Sequence, residues 1–274
     1  MAITHVIILL VTGVGVGFAS GLLGVGGCFI MTPVQYMVFT DMGLSIDMAM
    51  RLAFGTSLLV VLPTAISGAW RHHRKGVVWR KAALIMGSCS LVAASGGATL
   101  ATHLPGAALK TAFGFVAIAG GIWMLISRPL KTEQEPKDNP WLWLVWAIPI
   151  GLISGILGIG GGVVAVPVLL LALRFKIHNA VATSLAMMIF SSIGGVIGYI
   201  INGLGVPNLP AYSIGYVNLL AWFLLAVTSV GVAQVGAITA HRLPAKQLRY
   251  IFIAIMFYMG LKMLGVFDWL GWSI

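Results

Sequence analysis

Two glycine-rich stretches hold the residues best suited to chemistry. Ser20, Gly24, Gly26 and Gly27 lie in Gly17 to Pro33, GFASGLLGVGGCFIMTP. Ser154, Gly158, Gly160 and Gly161 lie in Gly151 to Pro167, GLISGILGIGGGVVAVP, 134 residues later. Eight of the seventeen positions are identical. Glycine lets backbone approach a ligand with no side chain in the way. Where a helix restarts after a glycine break, its first N–H groups are unpaired and its dipole end is positive, a setting for an anion. Small residues spaced by four, such as Gly13, Gly17 and Gly21, also let membrane helices pack closely with no ligand. Packing alone does not require a break before a short helix twice, so the paired motifs point to function. A dinucleotide loop does not fit, because no strand pattern precedes the glycines and no acidic residue follows the second motif about 20 positions on.

Further polar groups stand in apolar surroundings. Thr56-Ser57 and Thr183-Ser184 occupy matching places and open matching apolar runs. Their hydroxyls could donate to substrate oxygens or back-bond to a preceding carbonyl; the same choice holds for Ser20 and Ser154. Gln35 and Gln234 could contact ligand or join helices. All six carboxylates (Asp41, Asp47, Glu133, Glu135, Asp138, Asp268) fall between or beyond the apolar runs. That argues against a carboxylate proton relay or cation cage. The histidines stand at segment ends, and Cys28 and Cys89 have no metal or redox spacing. Neither a metal site, nor a cofactor motif, nor a nucleophile–base pair is expected, so an enzyme is not expected. What remains is a neutral, donor-rich pocket suited to a small anion.

The elements that must hold these residues are membrane helices. The chain has 274 residues, 59% hydrophobic and 8% charged, with mean hydropathy +1.03. A soluble chain carries roughly a quarter charged residues. The net charge of +10 sits in loops, so it reads as a topology signal rather than a nucleic-acid surface. Apolar runs fall near 6–23, 27–40, 52–70, 78–101 and 107–127, and again near 141–158, 162–173, 180–201, 214–240 and 247–267. The first run has no basic residue before it and is echoed at 142–152, so it reads as a retained segment and not a signal peptide. In each half the first two runs read as a helical hairpin broken at the glycines, and the last three as full spans of about 20 residues. Pro33 and Pro167 sit one to two turns into the short second run and can kink it.

The similarity extends beyond the motif. Ala53–Leu58 matches Ala180–Leu185 at an offset of 127, and Gly97–Pro105 matches Gly236–Pro244 at an offset of 139. The second half is thus seven residues shorter before the third run and twelve longer after it. Loops that are basic in one half are poor in bases in the other. Arg71 to Lys81 is strongly basic, whereas Tyr199 to Ser213 carries no charge. By the positive-inside rule, equivalent loops lie on opposite faces, making the halves inverted repeats. Residues 1–127 form one repeat, 128–140 a cytoplasmic linker and 141–274 the other. The N-terminus and the tail from Asp268 are then outside, and Lys262 near the outer end snorkels to the surface.

The twin G-x-x-S-G-x-x-G-x-G-G motifs, the Thr-Ser pairs and the length resemble the TauE/SafE sulfite exporter family, also called the toluene-sulfonate uptake permease group. The resemblance covers both halves. It implies an all-α integral membrane protein of a bacterial inner membrane that carries sulfite, sulfonates or related organosulfur anions. One departure is Cys28, which stands where the second half has Gly162. The expectation is a secondary transporter working by alternating access around a midplane site built from the two motifs. A passive anion channel, or a permease for another organosulfur anion or a carboxylate, is the alternative. Partners are the small anion and the lipid bilayer, with no nucleic acid, and a homodimer is an open assembly.

Overall fold

The apolar runs form helices that end where local chemistry stops them. The computed structural model describes residues 1–23, 27–126, 136–239 and 245–269. Helices α1 (Ile3–Leu23), α2 (Cys28–Asp41), α3 (Ile46–Arg74), α4 (Arg80–His103) and α5 (Gly106–Ile126) make the first half. The second has α6 (Pro140–Leu157), α7 (Gly162–Pro167) continued by a π turn (Val168–Ala172), α8 (Ile177–Gly203), strands β1 (Ser213–Ile214) and β2 (Val217–Asn218), α9 (Leu219–Thr239), α10 (Ala245–Met263) and α11 (Val266–Trp269). Helices α3, α4, α5, α6 and α8 (from His178) are long and apolar enough to cross a membrane. Large apolar side chains such as Val11, Val92, Phe115 and Val145 are exposed, as a lipid-facing surface requires. The protein is an all-α multi-pass membrane protein.

Each half lends elements to the other. Helix α4 packs on α6 and α8, and α9 packs on α1 and α3, while α3 meets α8 and α5 meets α10. The contacts are reciprocal in the offsets of the repeat. A Cβ on Gly68 would stand 3.1 Å from Leu185 Cδ1, and one on Gly195 would stand 2.6 Å from Leu58 Cδ1; these four residues are two pairs of counterparts. In the same way Gly121 meets Phe257 while Gly260 meets Ile118. Gly17 lies against the backbone of Ser229, and Gly151 against that of Ser90. Such i-to-j and j-to-i contacts have the form of a two-fold relation. Position 58 meets 195 and position 68 meets 185, so α3 and α8 run antiparallel.

Several boundaries differ from the sequence expectation. Helix α3 starts at Ile46 because Ser45 caps it, its hydroxyl accepting from the Met48 N–H at 3.3 Å. Asp47 and Arg51 therefore lie inside the helix, and Asp41 is the last residue of α2. Thr56-Ser57 stands well inside α3, and Thr183-Ser184 in the second turn of α8, not at an opening. Charges interrupt an apolar run without interrupting a helix. The run at 214–240 begins with the β1–β2 hairpin, Ser213 opposite Asn218 and Ile214 opposite Val217. Its second strand is buried, Val217 and Asn218 being fully covered, while Ile214 of the first is exposed. Pro33 lies within an unbroken α2, whereas Pro167 precedes the π turn, where the Leu173 N–H reaches Val168 O at 3.1 Å. Most of the expected linker, including Glu133 and Glu135, lies outside the described residues.

Candidate functional site

The second glycine break is a run of left-handed turns. Gly158, Gly160 and Gly161 have φ of +64°, +70° and +84°, and Gly27 in the first break has +65°. This region costs an L-residue roughly 1–2 kcal/mol, which is why glycine stands here. Gly27 O accepts from the Ile30 and Met31 N–H groups, and Gly161 O from those of Val164 and Ala165. The two restarts are thus built alike. Gly24 and Gly26 lie outside the described residues.

The two breaks meet. The Cys28 thiol, directly after the first, donates to Ile159 O inside the second at 3.3 Å. The second break runs along one face of α3. A Cβ on Gly158 would lie 2.6 Å from Phe54 Cα, and one on Gly160 2.9 Å from Val61 Cγ1. Ser57 sits between Phe54 and Val61 on that face. Its hydroxyl is 2.9 Å from Thr32 Oγ1 and accepts from Gln35 Nε2 at 3.0 Å. Helix α2 thereby brings Gln35 and Thr32 against the α3 face on which the break lies.

Carbonyls freed by the break are covered by protein donors, as non-helical backbone within a membrane requires. Ser191 Oγ donates to Gly160 O at 2.9 Å, and Tyr199 Oη to Gly155 O at 3.1 Å. Two buried hydroxyls beside the break, Ser154 Oγ and Ser192 Oγ, have no protein partner, and neither has Gln35 Oε1 on α2. All three residues are fully covered. A Cβ on Gly161 would stand 3.5 Å from Ser154 Oγ, and one on Gly160 3.5 Å from Ser192 Oγ, so the two hydroxyls flank consecutive left-handed glycines. An unsatisfied buried polar group costs about 1–3 kcal/mol. Two of them flank one backbone break, where their hydroxyls can donate to a ligand.

The remaining expected residues divide. Thr56 and Thr183 each accept a backbone N–H from the residue just before a distant helix, Asn218 at 2.9 Å and Trp79 at 3.2 Å. Ser184 does back-bond, to Val181 O at 2.9 Å. Ser20 is half-buried in α1, and the Gln234 side chain lies outside the described part. Sequence reasoning missed Ser191 and Ser192, whose counterparts in the first half are Thr64 and Ala65. The serine pair was a visible signal, but nothing local separates it from other helix hydroxyls. Apart from His5, the buried polar side chains are hydroxyls and amides, among the described residues. No group of three His, Cys, Asp or Glu residues there could hold a metal.

Farther out, an open cavity of about 460 Å³ lies between α2, α5 and α10, lined by Pro33, Tyr36, Thr40, Asp41, Lys110 and Lys262 among others. Lys110 Nζ lies 5.3 Å from the centre of the Tyr36 ring, and Lys262 Nζ 5.9 Å from that of Tyr258. His5 Nε2 pairs with Asp41 Oδ2 at 2.7 Å.

The model of the family described as sulfite exporter TauE/SafE matches residues 9–263. The chain is 32% identical over 261 residues to a probable membrane transporter protein of Methanocaldococcus jannaschii, covering 94% of each chain. It is 27% identical over 263 residues to one from Haemophilus influenzae, covering 95% of this chain and 98% of the relative. A Bacillus subtilis probable membrane transporter protein is 25% identical over 282 residues, with 96% and 99% covered. No solved structure matches.

Proposed function

The chain belongs to the TauE/SafE sulfite exporter family, and from that premise we propose that it is a secondary transporter of a small oxyanion, sulfite or an organosulfonate, in a bacterial inner membrane. The observation that carries this reading is the meeting of the two breaks, Cys28 on Ile159 O, beside buried hydroxyls of Ser154 and Ser192 that lack protein partners. Hydroxyl donors in a neutral interior, with the backbone carbonyls of Gly155, Ile159 and Gly160 already covered, offer an anion hydrogen bonds without the cost of burying a fixed cation. Gly27, Gly158, Gly160 and Gly161 let backbone reach the substrate.

The two halves lie in opposite orientations, residues 1–127 against 141–274. The antiparallel meeting of α3 with α8 through counterpart residues supports this, as does the contrast between the basic Arg71–Lys81 loop and the uncharged Tyr199–Ser213 loop. The two-fold then lies in the membrane plane, the arrangement behind alternating access in inverted-repeat transporters. Because α4 packs with α6 and α8, and α9 with α1 and α3, the moving bodies mix elements of both halves. Proteoliposomes holding the purified protein should take up labelled sulfite or a labelled sulfonate saturably. Failure of every such anion to be transported, or to shift the unfolding temperature, would refute the reading.

A further inference from the structure

The open cavity between α2, α5 and α10 has two kinds of wall. On α2, Pro33, Tyr36, Met37, Thr40 and Asp41 recur at intervals of three and four, and so share one face. Pro33 to Asp41 is eight residues, about 12 Å of helix, within the roughly 15 Å of hydrocarbon in one leaflet. Opposite that face, Lys110 of α5 and Lys262 of α10 bring two ammonium groups. Lys110 Nζ lies 5.3 Å from the centre of the Tyr36 ring, and no carboxylate pairs with Lys110 among the described residues. Asp41 Oδ2, in the same lining, is paired with His5 Nε2 of α1.

The edge of the cavity faces lipid. Met37 in its lining is apolar yet exposed. Tyr258, one turn before Lys262 with its ring centre 5.9 Å from Lys262 Nζ, is exposed as well. Exposed tyrosine beside lysine near a helix end is the pattern of a membrane interface. The volume of about 460 Å³ exceeds what a bare oxyanion fills, so Pro33, Met37 and Met263 call for an occupant with apolar atoms. Basic pockets between membrane helices hold anionic lipid headgroups.

We propose that this cavity binds one anionic phospholipid, with its phosphate between Lys110 and Lys262 and the start of an acyl chain along Met37 and Pro33. The repeat does not build the lysine pair twice, since Arg249 and Trp123 stand at the counterparts of Lys110 and Lys262, so one lipid is held per chain. In a zwitterionic bilayer the two ammonium groups act on passing anions; in an anionic one they hold the lipid.

The test is thermal unfolding of the delipidated protein in neutral detergent with added short-chain phosphatidylglycerol, phosphatidylcholine of the same chains, or glycerol phosphate. Phosphatidylglycerol should raise the midpoint saturably, phosphatidylcholine much less, and glycerol phosphate not at all. Native mass spectrometry should retain one phosphatidylglycerol per chain. Lys110→Met should weaken the phosphatidylglycerol response about fivefold in half-saturating concentration and leave that to phosphatidylcholine unchanged. If that variant does not fold, the headgroup comparison on the wild-type protein still decides. Equal responses to the two lipids, a full response to glycerol phosphate alone, or wild-type phosphatidylglycerol affinity in both Lys110→Met and Lys262→Met overturns the inference. None of these outcomes bears on whether the protein transports an anion.

Discussion

Thr183 Oγ1 accepts a hydrogen bond from the backbone N–H of Trp79, 3.2 Å away and 104 residues earlier in the chain. Its counterpart Thr56 accepts from Asn218, the counterpart of Trp79, at 2.9 Å. Each bond ties a central helix to the residue that starts a helix of the other half. Valine keeps the shape but leaves the N–H without an acceptor, which costs about 1–3 kcal/mol. Thr183→Val and Thr56→Val should each lower the unfolding temperature in detergent, and Thr183→Ser should largely keep it. Unchanged midpoints for both valine variants would contradict the pairing.

Gly160 combines a φ of +70° with a Cβ direction that ends 2.9 Å from Val61 Cγ1. Gly160→Leu should abolish proteoliposome transport at normal expression. Gly205 serves as the control, having φ of +79° and open space around it. Gly205→Ala bears the same kind of backbone strain, roughly 1–2 kcal/mol, and should still transport. Equal loss in both variants would mean that strain, not the shape of the break, is responsible.

Opposite orientation of the halves predicts opposite exposure of matching loops. Lys75 and Ala211 are exposed residues of the two loops. With Cys28 and Cys89 replaced by alanine, Ala211→Cys should react with an impermeant maleimide on intact cells, and Lys75→Cys only after permeabilisation. Labelling of both from the same side would remove the inverted arrangement.

Among the described residues, Lys110 and Lys262 line the outer cavity with one carboxylate, Asp41, which is tied to His5. A positive mouth concentrates anions, and salt screens the effect over about 10 Å at 0.1 M. Lys110→Met should raise the KM for the anion several-fold at low ionic strength and change it little at high salt. A salt-independent effect would assign Lys110 to packing over Tyr36 instead.

Much of the architecture was legible because membrane helices are specified locally. The apolar runs found α1 to α10 within a few residues, and the duplicated glycines located both breaks. The misses share one cause. Hydropathy reports residue type, not shape, so the largely apolar hairpin at Ser213–Asn218 passed for the start of a helix, and the charged first turns of α3 passed for a loop.

The sequence by itself determined the medium, the duplication, the breaks and the neutral character of the interior, since each is written in residue type and spacing. Only the tertiary structure decided which helices exchange between halves and what each hydroxyl does. Ser184 back-bonds within α8, Ser57 joins α2 to α3, and Ser154 stands without a protein partner. In a run of apolar residues these three serines look the same. Their roles differ because a hydroxyl's partner is set by what lies across the helix interface, often more than 100 residues away in the chain.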